Sequence, residues 1–588
     1  MTRALVAALA ALLLVPGPAR AQQDPADDEA LPQLKGEAKA RIQNLEQYLE
    51  DWDVAGAKAE LAELEKLAPA DIEPVRYFRG RIAFEEGDYQ KAFDELSASG
   101  VRDKPGSWLR LVKDTRDIVK DHSRAESEHF VFLYPKGKDG VLVPWALEAL
   151  EGIHAALAKD LGHTPKGKIR VEIVSSATEL AKVSTLSREA IRTTGTIAIC
   201  KFNKLMVTSP KAVVRGYDWL DTLAHEYVHL VVSQKSRNTV PIWMHEGLAK
   251  YLESRWRGPA GGAMTPSTLA LLGSRVRSNT LVPFEKMHPS MALLPTAEDA
   301  ATAFAEVFFA MHLVDTESGP GALARLLAEM GRGSSDKAAV EAVTKKKWPD
   351  FERAWMAHLK KQPYPKELIP PSAHEKKQLV EGDTKEKDPK KKGKKEREVS
   401  FGDFAEVQET PARKAAHLGE LMRERRRMGA AAEHYQKAYS LVGDRYESVS
   451  NKYALTLLEL KRFDEAEKVL LGSLVTHPGS AATNTHLARI ALRAKKFDVV
   501  KKASLDALAV NPFDPEVHVS LYLAAKKLGD DALAQRAVQG LVALLDIDPS
   551  KVGELAKRLE QSNLVDVDVT GPPPPPPVAR DAGERLTR

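Results

Sequence analysis

The sequence predicts a multidomain chain in which one α+β domain is flanked by all-α helical repeats. Three observations carry this prediction. The chain has 588 residues, more than a single hydrophobic core usually encloses. Two regions, before and after the middle, carry small residues at helix-crossing spacing, and in the later one they recur every 34 residues. The middle alone contains short β-branched, apolar runs. Aromatic residues are only 6% while Ala and Leu abound, which favours helices elsewhere. A formal charge of +4 on this length excludes a globally basic protein, so charge gives no case for nucleic acid as the main partner. One cysteine excludes an internal disulfide framework and any Cys-based zinc ribbon. Cys200, in the run TIAICKF, reads as a small core residue.

Residues 1–21 read as an export signal. Arg3 supplies a positive end, Leu5 to Val15 is an unbroken apolar run, and Pro16 to Pro18 ends it. Ala19-Arg20-Ala21 has the form of a cleavage site, so the chain is expected to be exported, to the periplasm or the medium, and to start near Gln22. No later segment reads as a membrane span. Residues 37–124 form an N-terminal helical region: Gly80, Ala83, Gly87, Tyr89 and Ala92 place small residues and a Gly turn between two helices. Residues 125–365 make the α+β domain. EHFVFLYP and KIRVEIVSS read as strands around a helix from Trp145 to Leu161, and 194–209 reads as two strands around Asn203-Lys204. Residues 262–360 read as helical, with His312 packed in their core.

Residues 366–412 form a charged linker. Between Glu375 and Arg397 it holds ten Lys or Arg against six Asp or Glu, an excess equal to that of the whole chain. Residues 413–560 form the second helical domain. Ala454, Ala466 and Pro478 recur as Ala488, Val500 and Pro512, Phe463 as Phe497, and Tyr522 and Ala534 continue the register. A small residue lets two helices cross, an aromatic fills the gap, and a Pro ends the second helix. Residues 561–588, with six consecutive prolines, read as an extended tail.

The chemistry-bearing segment is a helix over about 217–233, YDWLDTLAHEYVHLVVS. His225 and His229 stand one turn apart on one face, so both imidazoles can reach one metal ion. Glu226 can stand over an open position on that ion and take a proton from water there. After Pro241 comes IWMHEGLAKYLE, in which Glu246, separated from His229 by sixteen residues, can supply a third ligand. Two His, one carboxylate and an open position form a catalytic zinc arrangement rather than a closed structural one. Glu253 and Asp221 lie on the same faces as these ligands, and each reads either as a hydrogen-bond partner of a ligand His or as a solvated carboxylate. Tyr251 and Tyr227 read as core residues first and transition-state donors second. His245 reads as pointing away from the ligands.

HEYVH followed by PIWMHEGLAKYLE resembles the gluzincin metallopeptidases, in particular the peptidase MA-like domains with a thermolysin-like α+β fold. The resemblance covers about 125–365. It implies one Zn2+ held by His225, His229 and Glu246, with Glu226 as general base. The run Thr194 to Ile199 lacks the Gly-x-Met-Glu-Asn signature by which aminopeptidases of this clan hold a free amine. The 34-residue register of 413–545 resembles the tetratricopeptide repeat, whose stacked hairpins present concave surfaces to peptides or proteins. Together these resemblances imply an exported zinc metallopeptidase that hydrolyses peptide bonds and recruits a protein partner or substrate through its repeats. The competing reading is an exported repeat scaffold whose peptidase-like domain binds zinc or peptide without turnover.

Overall fold

A computed structural model describes residues 34–371 (apart from 263, 288, 289, 292 and 293), positions 375, 377 and 379, and residues 404–561. Residues 1–33, which include the leader expected over 1–21, most of the charged linker and the proline-rich tail from 562 lie outside the described residues.

The chain opens with five helices, α1 to α5 (Glu37–Glu50, Val54–Leu67, Glu73–Glu86, Tyr89–Ser97 and Trp108–Val119). The α3–α4 turn is made by Gly87 at φ 80°, a left-handed conformation that costs glycine little. A five-stranded sheet follows: β1 (Ser123–Glu126), β2 (Phe130–Tyr134), β3 (Ile169–Val174), β4 (Ala198–Lys201) and β5 (Lys204–Thr208). Its order is β1-β2-β3-β5-β4. β2, β3 and β5 run parallel, and the antiparallel strands β1 and β4 form the two edges. The parallel β2–β3 step requires a crossover, which α6 (Val143–Leu161) supplies. The β4–β5 turn falls at Phe202-Asn203, one residue earlier than the sequence suggests. Both residues have positive φ, which matches a two-residue hairpin to the strand twist. Helices α7 (Ala177–Val183) and α8 (Arg188–Thr194) bridge β3 and β4.

Strand alternation decides the two faces. Val171, Leu205 and Val207 point to one core, where they meet Leu150 and Ile153 of α6 and Leu223, Tyr227 and Val231 of α9 (Trp219–Ser236). Val174, Ile199 and Met206 point the other way and meet Phe78, Phe84 and Trp108 of the N-terminal helices. The N-terminal helices therefore cover one face of the sheet and share its core. Each fully buried Leu or Phe in these layers contributes about 1.5–3 kcal/mol. Lys204, Glu172 and Tyr89 form a wholly buried cluster across that second interface, with Lys204 Nζ 2.8 Å from Glu172 and 3.0 Å from the Tyr89 hydroxyl.

After α9 come α10 (Ile242–Leu252) and a helical subdomain of α11 to α15 (Pro266–Ser278, Ala297–Ser318, Ala322–Gly331, Asp336–Thr344 and Trp348–Lys360). His312 is packed there as expected, its Nδ1 3.0 Å from Nε2 of His358. Gly247 sets the α10–α12 approach: a Cβ on it would meet Val307 O at 2.8 Å and Met311 Cγ at 2.9 Å.

The C-terminal domain is a stack of helical hairpins. These are α16–α17 (Thr410–Glu424, Met428–Val442), α18–α19 (Glu447–Glu459, Phe463–Thr476), α20–α21 (Ala481–Arg493, Phe497–Leu508) and α22–α23 (Pro515–Leu528, Asp531–Leu545), closed by α24 (Val552–Gln561). The register that the sequence shows in Ala and Pro reappears in the backbone. Lys461, Lys495 and Gly529 all adopt left-handed φ at the turn within a hairpin. The stack also bears on the α+β domain. Trp219 Nε1 donates to Leu508 O at 3.0 Å and Tyr217 N to Val510 O at 3.2 Å, both at the start of α9. Gly216, at φ 68°, is required beside them, since a Cβ there would run into Val510 O.

One helix among the described residues bears on the expectation that no later segment crosses a membrane. Lys138–Leu161, which contains α6, is long and apolar enough by length and composition, with mean hydropathy 1.3. Its apolar face is buried between the sheet and α9, as a core helix requires.

Candidate metal centre

α9 and α10 build the site together. α9 ends when Arg237 turns left-handed at φ 56°, and Pro241 starts α10 by capping its first turn without needing an N–H. This reversal brings Glu246 back over the two histidines. Nε2 of His225 and Nε2 of His229 are 3.1 Å apart, and Glu246 Oε2 lies 3.3 Å from the first and 3.5 Å from the second. A tetrahedral ion with ligands at about 2.0–2.1 Å would have ligand–ligand edges of roughly 3.3–3.4 Å. The three atoms therefore fit a zinc-sized ion, and they are the one His/Cys/Asp/Glu group found among the described residues that could hold a metal.

The surrounding hydrogen bonds set the tautomers. Glu253 Oε2 lies 3.1 Å from Nδ1 of His225, which donates to it. Nδ1 of His229 lies 2.6 Å from Nδ1 of His245, whose Nε2 reaches Ser233 Oγ at 3.2 Å. Burial pushes His245 down to about 3, so it is neutral. If its Nε2 donates to Ser233 Oγ, its Nδ1 accepts from His229. In that tautomer both His225 and His229 direct their Nδ1 protons outward and turn Nε2 toward the ligand triangle.

Charges in the cluster are mutually fixed. Burial opposes charge on His225, but the hydrogen bonds it donates to Glu246 and Glu253 prevail and push it up to about 10. Glu246 is held well below the usual carboxylate range, because the two histidines outweigh its burial. Glu253 falls to about 2, with Lys250 and His225 outweighing burial. Glu226 is buried, and burial raises its pKa despite the opposing pull of His229 and His225. Its carboxylate accepts from the backbone N–H of Cys200 on edge strand β4.

The remaining candidates sort clearly. Glu253 stands behind His225, as one of its two readings proposed. Asp221 does not reach a ligand. It accepts from Trp256 Nε1 at 3.0 Å and from Arg257, because the loop after α10 folds over that end of α9. The Tyr227 hydroxyl sits 2.7 Å from His154 Nδ1 in the core, and that of Tyr251 donates to Asp315 at 2.8 Å, so both keep the core role read first. His245 is the residue the sequence reading missed. It follows α9 by a helix reversal, and its only sequence signal is its place beside Glu246.

The fold is a mixed-sheet α+β domain carried with stacked helical hairpins, and its site gathers two histidines and a glutamate. Residues 149–361, from within α6 to just past α15, match the family described as Peptidase MA superfamily. No curated protein matches the chain. Among solved structures, one titled "Crystal structure of APC/C hetero-tetramer Cut9-Hcn1" aligns over 90% of this chain and 83% of its own, at 9% identity and a TM-score of 0.24.

Proposed function

We propose that this protein is an exported zinc metallopeptidase that hydrolyses peptide bonds. The observation that carries the reading is the ligand triangle of His225, His229 and Glu246 at zinc-sized spacing, with the buried carboxylate of Glu226 beside it. The Peptidase MA superfamily match over the same residues supports it. A zinc ion held there would act as a Lewis acid, polarising a peptide carbonyl and making a water at its open position easier to deprotonate. Glu226 accepts the proton of the attacking water and delivers it to the leaving amine. Glu253 and His245 hold the two imidazoles in the ligating tautomer.

The repeats serve recruitment. A pocket of about 330 Å³ opens between their inner face (Thr485, His486, Arg489) and Val214 and Arg215 of the peptidase domain, so a partner held there borders the catalytic domain. Export rests on the leader, and N-terminal sequencing of the mature protein is expected to begin near Gln22.

The decisive experiment compares wild type with Glu226→Gln for zinc content and for cleavage of casein or a peptide library. Stoichiometric zinc is expected in both, with cleavage lowered by about 10²–10⁴ in the variant. Full activity in Glu226→Gln would refute the mechanism. Zinc in both with cleavage in neither would favour the non-hydrolytic scaffold.

A further inference from the structure

The pocket between the repeats and the peptidase domain shares its walls with the joint that holds the start of α9. Val214 and Arg215 line one side of it, and Ala507 and Asn511 line the other. The residues next to these in the chain tie the two sides together. Tyr217 N donates to Val510 O at 3.2 Å, and Trp219 Nε1 donates to Leu508 O at 3.0 Å. Gly216 passes so close to Val510 O that a Cβ would collide with it. Both acceptors, Leu508 and Val510, lie between Ala507 and Asn511, so a shift of that pocket wall is also a shift of the acceptors.

The metal-bearing helix begins at this joint. Tyr217 and Trp219 are buried, and the Tyr217 hydroxyl also donates to Thr208 O on β5. His225 follows Trp219 by six residues, about 9 Å along a helix that rises 1.5 Å per residue. No Gly or Pro interrupts α9, so it moves as one piece.

The pocket is also equipped to hold something. Its lining sets two cations, Arg215 and Arg489, against two anions, Glu447 and Asp514. Arg489 forms a bidentate pair with Glu516, and its Nη1 donates to His486 Nδ1 at 3.4 Å. Burial pushes His486 down to about 3 and keeps it neutral, so its proton is on Nε2. Asn511 Oδ1 accepts from Phe513 N at 3.2 Å, which leaves its Nδ2. Neither His486 Nε2 nor Asn511 Nδ2 has a partner among the described residues. Two unspent N–H donors in a charge-balanced cavity of about 330 Å³ suit the carbonyl oxygens of an uncharged peptide segment.

We propose that this pocket is a control site for the metal centre: a peptide segment seated in it wedges Val214 and Arg215 away from Ala507 and Asn511 and, through the hydrogen bonds of Tyr217 and Trp219, displaces the start of α9. The proposal deepens the recruitment reading above and rests on the metallopeptidase reading. The coupling is reciprocal, so an occupant that weakens zinc binding is itself held less tightly once zinc is bound.

The test uses the full-length protein and builds the occupant into the chain. Ala482→Trp and, separately, Thr485→Trp each place an indole in the pocket. Trp219→Phe keeps a ring but removes the bond to Leu508, and Ala482→Trp/Trp219→Phe combines the two changes. Zinc affinity is titrated against a chromophoric chelator, and amide hydrogen exchange is followed over 217–222. Each plug is expected to weaken zinc binding about tenfold and to speed exchange over 217–222, with exchange over β3 constant. In the Trp219→Phe background the same plug should change zinc affinity less than about threefold, because the tie is already cut. Trp219→Phe adds nothing to the pocket and should speed exchange by itself, so it tests the tie even where a plug fails to fold. Unchanged zinc affinity and exchange in the plugged proteins, or a plug effect of equal size in both backgrounds, overturns the control site and leaves the metal centre standing. Zinc bound by none of the proteins, wild type included, overturns the metallopeptidase reading instead. The control site is then judged by exchange alone: faster exchange over 217–222 in the plugged proteins supports it, and identical exchange overturns it.

Discussion

Gly247→Ala tests whether the α10–α12 contact is what holds Glu246 in the ligand triangle. The added methyl group would meet Val307 O at 2.8 Å, Met311 Cγ at 2.9 Å and Val307 Cβ at 3.2 Å. The Met311 side chain can turn aside. The other two atoms are a backbone carbonyl and a branch point on α12, so the helices must separate. Overpacking of this kind costs about 1–3 kcal/mol, and the better helix propensity of Ala returns up to about 1 kcal/mol. A net loss of about 1–2 kcal/mol follows, worth roughly 2–8 °C in Tm for a domain of this size. Glu246 precedes this residue directly, so zinc affinity falls in parallel. Melting and a competitive zinc titration measure the two effects. Gly258→Ala is the control, since no atom lies within 4 Å of its new Cβ. If Gly247→Ala melts no lower than Gly258→Ala and binds zinc as tightly as wild type, the packing argument fails.

The remaining predictions concern the protonation that surrounds the site and the core. His245→Ala removes the acceptor for His229 Nδ1, and zinc affinity should drop about 10–100-fold, read by titration against a chromophoric chelator, while Asp221→Asn leaves it unchanged. Glu306 is wholly buried on α12, with Oε1 accepting from Val282 N and Oε2 without a partner. Burial pushes its pKa from 4.5 up to about 8. A carboxyl raised on folding adds stability that is complete below its unfolded value and is lost as pH rises through the folded one. Stability should therefore fall by about 1.4 kcal/mol per pH unit across that window. Glu306→Gln should flatten the slope in denaturant titrations at pH 5 and pH 8, and an unchanged slope would refute the assignment.

Much of the site is local and so was legible in the sequence. His225 and His229 share a face because a helix turns every 3.6 residues, and any helix over 217–233 imposes that. The hairpin register is also local, since each repeat encodes its own turn and crossing residues. The strands and the reversal that returns Glu246 follow from alternation, Pro241 and the reach of sixteen residues. Tertiary structure alone decided the rest, because the partners are distant in sequence and chosen by packing. His245 lies on α10 beside Glu246, yet only the crossing of α9 and α10 aims it at His229. Asp221 and Glu253 look equivalent on helical wheels, but the loop at Trp256 and Arg257 captures the first and leaves the second for His225. The same holds for Trp219 and Leu508, joined across 289 residues, and for Leu379 beside Val213. Helical periodicity determines which side chains share a face; what that face meets is settled only when separate elements close on one another.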